Sequence, residues 1–189
     1  MGDVRVSQLK AMVRAIDGLT PTQRYAVLNK IGEHTLAAIS SAASSGWLPL
    51  AINYTLVDAV YTLAGPQATR DWSRRLSQES FDTGLMRAMV KGMQAILDLS
   101  PKTWLKRVPG GWNAVYRDCG DIVVEVDPTE ERVLLRFTET PPEMRSESFM
   151  TSMAGGFEAV LALTNVKGKV APRLRGEVLE MDITWVPRR

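Results

Sequence analysis

The chain has one cysteine and one histidine among its 189 residues. A lone thiol cannot close an internal disulfide, and one cysteine with one histidine cannot build a zinc cluster. Hydrolytic triads and histidine-based acid–base chemistry would all have to pass through His34, and no nucleophile motif stands beside it. Charge of one sign is also scarce. The net charge is +2 with no basic block, which gives no footing for nucleic-acid binding. No apolar run approaches the ~20 residues of a membrane span. The first residues, Met-Gly-Asp-Val-Arg-Val-Ser, lack the apolar core of a signal peptide and are off-pattern for myristoylation. The expectations are a cytoplasmic, reducing setting, no metal, no cofactor, no nucleic acid and no catalytic constellation.

What is present is an ordinary globular composition, 45% apolar and 23% charged, enough for a substantial core in one domain over residues 1–189. The two parts differ in charge: residues 1–119 sum to +5 and residues 120–189 to −3. Their hydrophobic periods differ too. Thr20-Pro-Thr-Gln is an N-cap followed by proline, opening a helix expected to run to Ala43. Leu50, Tyr54, Val57, Tyr61 and Ala64 form a helical stripe that closes at Gly65-Pro66, and Ala68, Trp72 and Leu76 mark a shorter helix. Asp82 to Leu99 is apolar around more than half its circumference, as expected of a central helix. Ser100-Pro101 opens a short helix bearing Trp104 and Leu105. Trp112, Val115, Tyr116 and Cys119 predict another, stopped at Gly120.

At Gly120 the period becomes two. Ile122, Val124 and Val126 share one face of a strand, and Val133, Leu135 and Phe137 share one face of the next. Val166, Val170 and Leu174 alternate with basic residues; Leu179, Met181, Ile183 and Trp185 alternate with Glu180, Asp182 and Thr184. A hairpin turn falls at Arg175-Gly176-Glu177. The expected fold is α+β: a helical part, 1–119, followed by a four-stranded antiparallel sheet, 120–189, in the order ββαββ and covered on one face by helices.

The helix between the two hairpins carries Gly155-Gly156 in mid-run, where each glycine costs about 1 kcal/mol relative to alanine. Close packing of the helix against the sheet explains such a pair. Approach of the backbone to a ligand is the alternative; a phosphate loop is not, because helical residues precede the pair and no lysine follows.

Other residues admit two readings each. His34 lies in helical line with Val27, Ile31 and Ala38, as a half-buried bonded side chain or a haem ligand. Cys119 lies beside Asp118 and Asp121, which disfavour a thiolate, so a buried inert thiol is expected. Lys167, Lys169, Arg173 and Arg175 form a basic strip, better read as cross-strand partners of Glu180 and Asp182 than as a phosphate site. Met86, Met89 and Met93, with Met150, Met153 and Phe157 on the later helix, would line a pocket for a small apolar ligand if the two helices face each other. Trp47 and Trp72 are candidate interface anchors.

Trp112, Tyr116 and Gly120 on a short helix, then a hairpin, Gly156-Phe157-Glu158 on a helix and a last strand ending Ile183-Thr-Trp185 make a familiar order. The chain resembles the superfamily of 4-vinyl-reductase-type domains, haem–nitric-oxide-binding (H-NOX) domains and Bet3-like subunits of vesicle-tethering (TRAPP) complexes. Within it the chain looks most like an uncharacterised bacterial paralogous family from myxobacteria. The resemblance implies a helical part with an antiparallel sheet and a ligand-sensing or interaction role, often as a dimer or within a larger assembly. Haem-binding relatives carry Tyr-x-Ser-x-Arg, which is absent here; Tyr116-Arg-Asp-Cys-Gly120 does not supply it. The acylated cysteine of the tethering-complex relatives has no secure match in Cys119. The resulting expectation is a non-enzymatic signalling or protein-interaction domain, dimeric or part of a larger assembly, with a sensor for a small apolar ligand as the alternative.

Overall fold

The computed structural model describes residues 2–81 and 100–186. The expected helix Asp82–Leu99, with Met86, Met89 and Met93, lies outside the described residues. Strand β1 (Asp3–Arg5) leads into helix α1 (Val6–Ala15), α2 (Pro21–Ile31) and α3 (Glu33–Ser41). Thr20 caps α2 in a reciprocal capping box with Gln23, as the cap-plus-proline pattern predicts. The run to Ala43 is not continuous, however: Gly32 takes φ 81°, a left-handed conformation that ends α2 and restarts the chain as α3.

Strand β2 (Trp47–Pro49) precedes α4 (Leu50–Phe81), which is broken where Gly65 takes φ 88° before Pro66. Its buried face is Asn53, Leu56, Val57 and Val60, rotated from the expected stripe because Tyr54 and Tyr61 stay half-exposed. The short helices α5 (Pro101–Leu105) and α6 (Val108–Val115) follow. Tyr116 does not continue α6. With Arg117 it forms β3, which pairs with β1 while β1 pairs with β2, a small sheet of order β2-β1-β3. Gly120, at φ 80°, therefore turns the chain between two strands rather than stopping a helix; a Cβ there would lie 2.1 Å from the Thr138 carbonyl oxygen.

The second sheet matches expectation. Strands β4 (Asp121–Val126), β5 (Arg132–Thr138), β6 (Gly168–Arg175) and β7 (Val178–Trp185) are antiparallel in the order β4-β5-β7-β6. Between the hairpins runs α7 (Glu147–Leu163), capped by the Ser146 hydroxyl accepting from the Phe149 amide. Val133, Leu135, Phe137, Leu179, Met181 and Ile183 point inward and join the apolar residues of the helices in one buried cluster. The other face is a charge ladder. Arg132 grips Asp182 with both ends of its guanidinium, at 2.8 and 3.0 Å, and Arg173 reaches the same carboxylate at 3.5 Å. Arg136 bridges Glu125 and Glu180, and Arg175 completes the row on Glu180 at 3.1 Å. Arg173 and Arg175 of the basic strip are thus cross-strand partners of the buried acids, while Lys167, which precedes β6, and Lys169 are exposed.

Gly155 explains half of the glycine pair. A Cβ there would sit 2.3 Å from the backbone oxygen of Arg70, so α7 touches the main chain of α4. The close approach expected toward the sheet is made to a helix instead, because Arg70 fastens α4, α7 and β6 together. Its Nη2 donates to the Val170 carbonyl at 2.7 Å and pairs with Glu158 at 2.8 Å.

Candidate functional site

Gly156, the other half, faces a cavity. A Cβ at this position would meet the Ser77 hydroxyl at 3.4 Å and the Ser73 hydroxyl at 3.8 Å, leaving room where a side chain would otherwise stand. The cavity has a volume of about 260 Å³. Helix α7 supplies Phe149, Met153, Gly156, Phe157 and Val160, steps of four, three, one and three that present one face. Across from it α4 contributes Asn53 and Val57 before the kink and Ser73, Leu76 and Ser77 after it. Helices α1 and α6 add Met12 and Trp112, and β3 adds Tyr116. Trp112 stacks tilted on Tyr116 at 4.2 Å and edge-on to Phe137 at 5.2 Å, tying this wall to the sheet.

The polar groups of the cavity centre on Asn53, which is 1% exposed. Its Nδ2 donates to the Tyr116 hydroxyl at 3.4 Å and points to the Met12 sulfur at 3.5 Å. Its Oδ1 has no hydrogen-bond partner among the described residues. Desolvation pushes the Tyr116 phenol well above its usual range, only partly offset by the bond from Asn53, so it stays protonated. The described walls hold no carboxylate, imidazole, thiol or cation. They offer dispersion contacts and hydrogen bonds to a guest.

Of the residues expected to form a pocket, Met153 and Phe157 line this one, while Met150 packs half-buried on the core without reaching it. Asn53, Ser73 and Ser77 were not foreseen. Trp72 is not an interface anchor: it is fully buried, and its indole donates to the Met12 carbonyl at 3.3 Å. Trp47 is half-buried between two guanidinium groups, Arg5 at 3.9 Å and Arg117 at 4.3 Å. His34 is exposed on α3 rather than half-buried, because the break at Gly32 turns the helix face that would have covered it. Cys119 follows β3 instead of ending a helix; it is buried, and desolvation pushes its thiol up to about 11. At pH 8 its reaction with a disulfide reagent is expected to be at least ~100-fold slower in the folded protein than after unfolding in denaturant. Equal rates would show that the thiol is accessible.

No family model matches the chain, and no curated protein does. Solved structures do. The Fe(II) unliganded H-NOX protein from K. algicida superposes with a TM-score of 0.64, at 10% identity, over 98% of this chain and 97% of that one. A single-residue mutant of that protein gives 0.65 at 8% identity, over 97% of both chains. The H-NOX protein from S. oneidensis in the Fe(II)NO state gives 0.60 at 10% identity, over 94% of this chain and 99% of that one. The chain has an H-NOX-like fold.

That fold raises haem as a candidate guest, and the donor set of this chain does not fit it. Haem iron takes its axial bond from histidine, thiolate, tyrosinate, or methionine alongside histidine. The chain's only histidine is exposed and does not line the cavity. Its only cysteine is buried outside the cavity, and Tyr116 keeps its proton. Titration of the purified protein with haemin is expected to give no protein-bound Soret band. A sharp, stoichiometric band would overturn this.

Proposed function

We propose that this chain is a non-enzymatic sensor domain that binds a small, predominantly apolar molecule in the cavity between α4 and α7. The observation that carries the reading is the cavity itself: apolar walls, a few convergent polar groups and a glycine that leaves its floor open. The solved H-NOX structures add support at the level of fold, since those named proteins hold iron and, in one case, NO. The wider kinship with 4-vinyl-reductase-type and Bet3-like domains is proposed on the same footing. A signalling role in a dimer or larger assembly accords with this reading, because a sensor needs a partner to receive its output. Among the described residues no helix is long and apolar enough to cross a membrane.

Native mass spectrometry of protein purified from its own host is the direct test. A retained small molecule is expected at one per chain. Ser77→Leu, which fills the cavity beside Gly156, is expected to release it with thermal stability intact. Retention of the molecule by that variant, or its absence from the wild type, would argue against the reading.

A further inference from the structure

Among the described residues polar groups gather in three places: the cavity, the outer charge ladder, and a cleft beside Arg70. In the ladder every acid is matched by arginines. In the cleft Arg70 and Arg74 already share Glu158, and Lys167 and Lys169 are exposed surface lysines. The cavity differs, because its unmet group is deep and uncharged. Resting on the sensor reading above, we infer that the Asn53–Tyr116 pair is the polar anchor of the cavity and selects an uncharged ligand bearing a hydroxyl group.

A buried amide oxygen without a partner is costly, and native proteins satisfy nearly all such groups with protein, water or ligand. Asn53 meets this condition: it is 1% exposed, lines the cavity, and leaves Oδ1 unpartnered among the described residues while Nδ2 is engaged. The engaged side matters equally. By donating to Tyr116 Oη, Nδ2 leaves the phenol proton free to be donated onward. A guest hydroxyl can therefore give its proton to Asn53 and accept one from Tyr116, closing a three-membered network. An ether can only accept, so Asn53 would stay unmet. A carboxylate would enter without a counter-charge on the described walls, at the full expense of losing its hydration. Size sets the rest of the ligand: 260 Å³ is about nine water volumes. Phe149, Met153, Phe157 and Val160 form an apolar part of the wall that suits an alkyl or ring hydrocarbon, with Gln8, Ser73, Ser77 and Ser152 as further uncharged polar lining.

The test uses three probes of closely matched size in calorimetric titrations of the full chain at pH 7.5: 1-octanol, heptyl methyl ether and octanoate. Octanol is expected to bind about tenfold more tightly than the ether, the worth of one buried hydrogen bond. Octanoate is expected to bind at least ~100-fold more weakly than octanol. Asn53→Leu keeps the branched outline of the side chain without its acceptor, so octanol should lose its advantage and bind at the ether's level in that variant. Tyr116→Phe, the second variant if Asn53→Leu does not fold, removes the bond that both guests accept, so it should weaken both and leave the gap between them in place; unchanged affinities in that variant overturn the anchor. Equal affinity of octanol and ether, or of octanol and octanoate, overturns the anchor but leaves the sensor reading standing. Failure of all three probes removes both.

Discussion

Gly155→Ala is expected to destabilise the protein by about 3 kcal/mol, lowering the melting temperature by roughly 6–12 °C. The added methyl would stand 2.3 Å from the Arg70 oxygen and 2.9 Å from the Arg70 carbonyl carbon, both main-chain atoms with no freedom to turn aside. Helix α7 must then lift from α4. The lift strains the Arg70–Glu158 pair and the Arg70 bond to Val170, which hold β6 against the helices. The gain of about 1 kcal/mol from replacing a mid-helix glycine is too small to compensate. Gly156→Ala is the matched control. Its methyl meets only serine hydroxyls, Ser77 at 3.4 Å and Ser73 at 3.8 Å, so the propensity gain should survive and stability should hold or rise by up to ~1 kcal/mol. Thermal and denaturant unfolding of the two variants reads the difference directly. Equal effects would show that the helix contact is not what the first glycine serves.

The second large effect is expected at the outer face of the sheet. Arg132→Ala should destabilise the protein at neutral pH, because it leaves the Asp182 carboxylate, only 10% exposed, with Arg173 as its remaining close partner. The loss should depend on pH with a definite sign. Arg132 holds the Asp182 carboxyl below its usual range, first through the two-pronged hydrogen bond, against the opposing pull of burial. A depressed carboxylate contributes its full stability above the unfolded-state value near 4 and loses it as pH falls through the folded-state value. Wild type and variant should therefore differ most above pH ~5 and converge in acid. Denaturant titrations at pH 7, 5, 4 and 3 check this; a gap that stays constant down to pH 3 would remove Asp182 as its origin.

Both predictions rest on features that differ in how far the sequence displays them. The sheet is legible because the buried Val133, Leu135 and Phe137 alternate with the half-buried Arg132, Leu134 and Arg136, a period of two. The pairing of Arg173 with Asp182 follows from the same alternation on adjacent strands. The small sheet is not legible: β1, β2 and β3 are two or three residues long, too short for any period, and their pairing is set by distant contacts. The cavity lies between these cases. Met153 and Phe157 follow from helical spacing, but Asn53 does not, because an apolar stripe leaves out a polar residue. Its signal was position, since Asn53, Leu56, Val57 and Val60 step by three, one and three on a buried face. An amide in the middle of such a face needs a partner, and asking for that partner leads to the site. The tyrosines at 54 and 61 obscured it, being apolar enough to suggest a stripe and amphipathic enough to stay at the surface.

The small sheet also sets an order in time. Val4 pairs with Leu48 on one side and with Tyr116 on the other, so the central strand, made first, waits for a neighbour more than a hundred residues downstream. At ribosomal speeds of roughly 5–20 residues per second that wait lasts about 6–22 s. Tyr116 falls into register only when this last edge closes, and its hydroxyl is one of the two groups at the polar end of the cavity. The cavity is thus among the last features of the chain to be completed. On the reading proposed above, a guest meets the polar end of its cavity only once Tyr116 is in place.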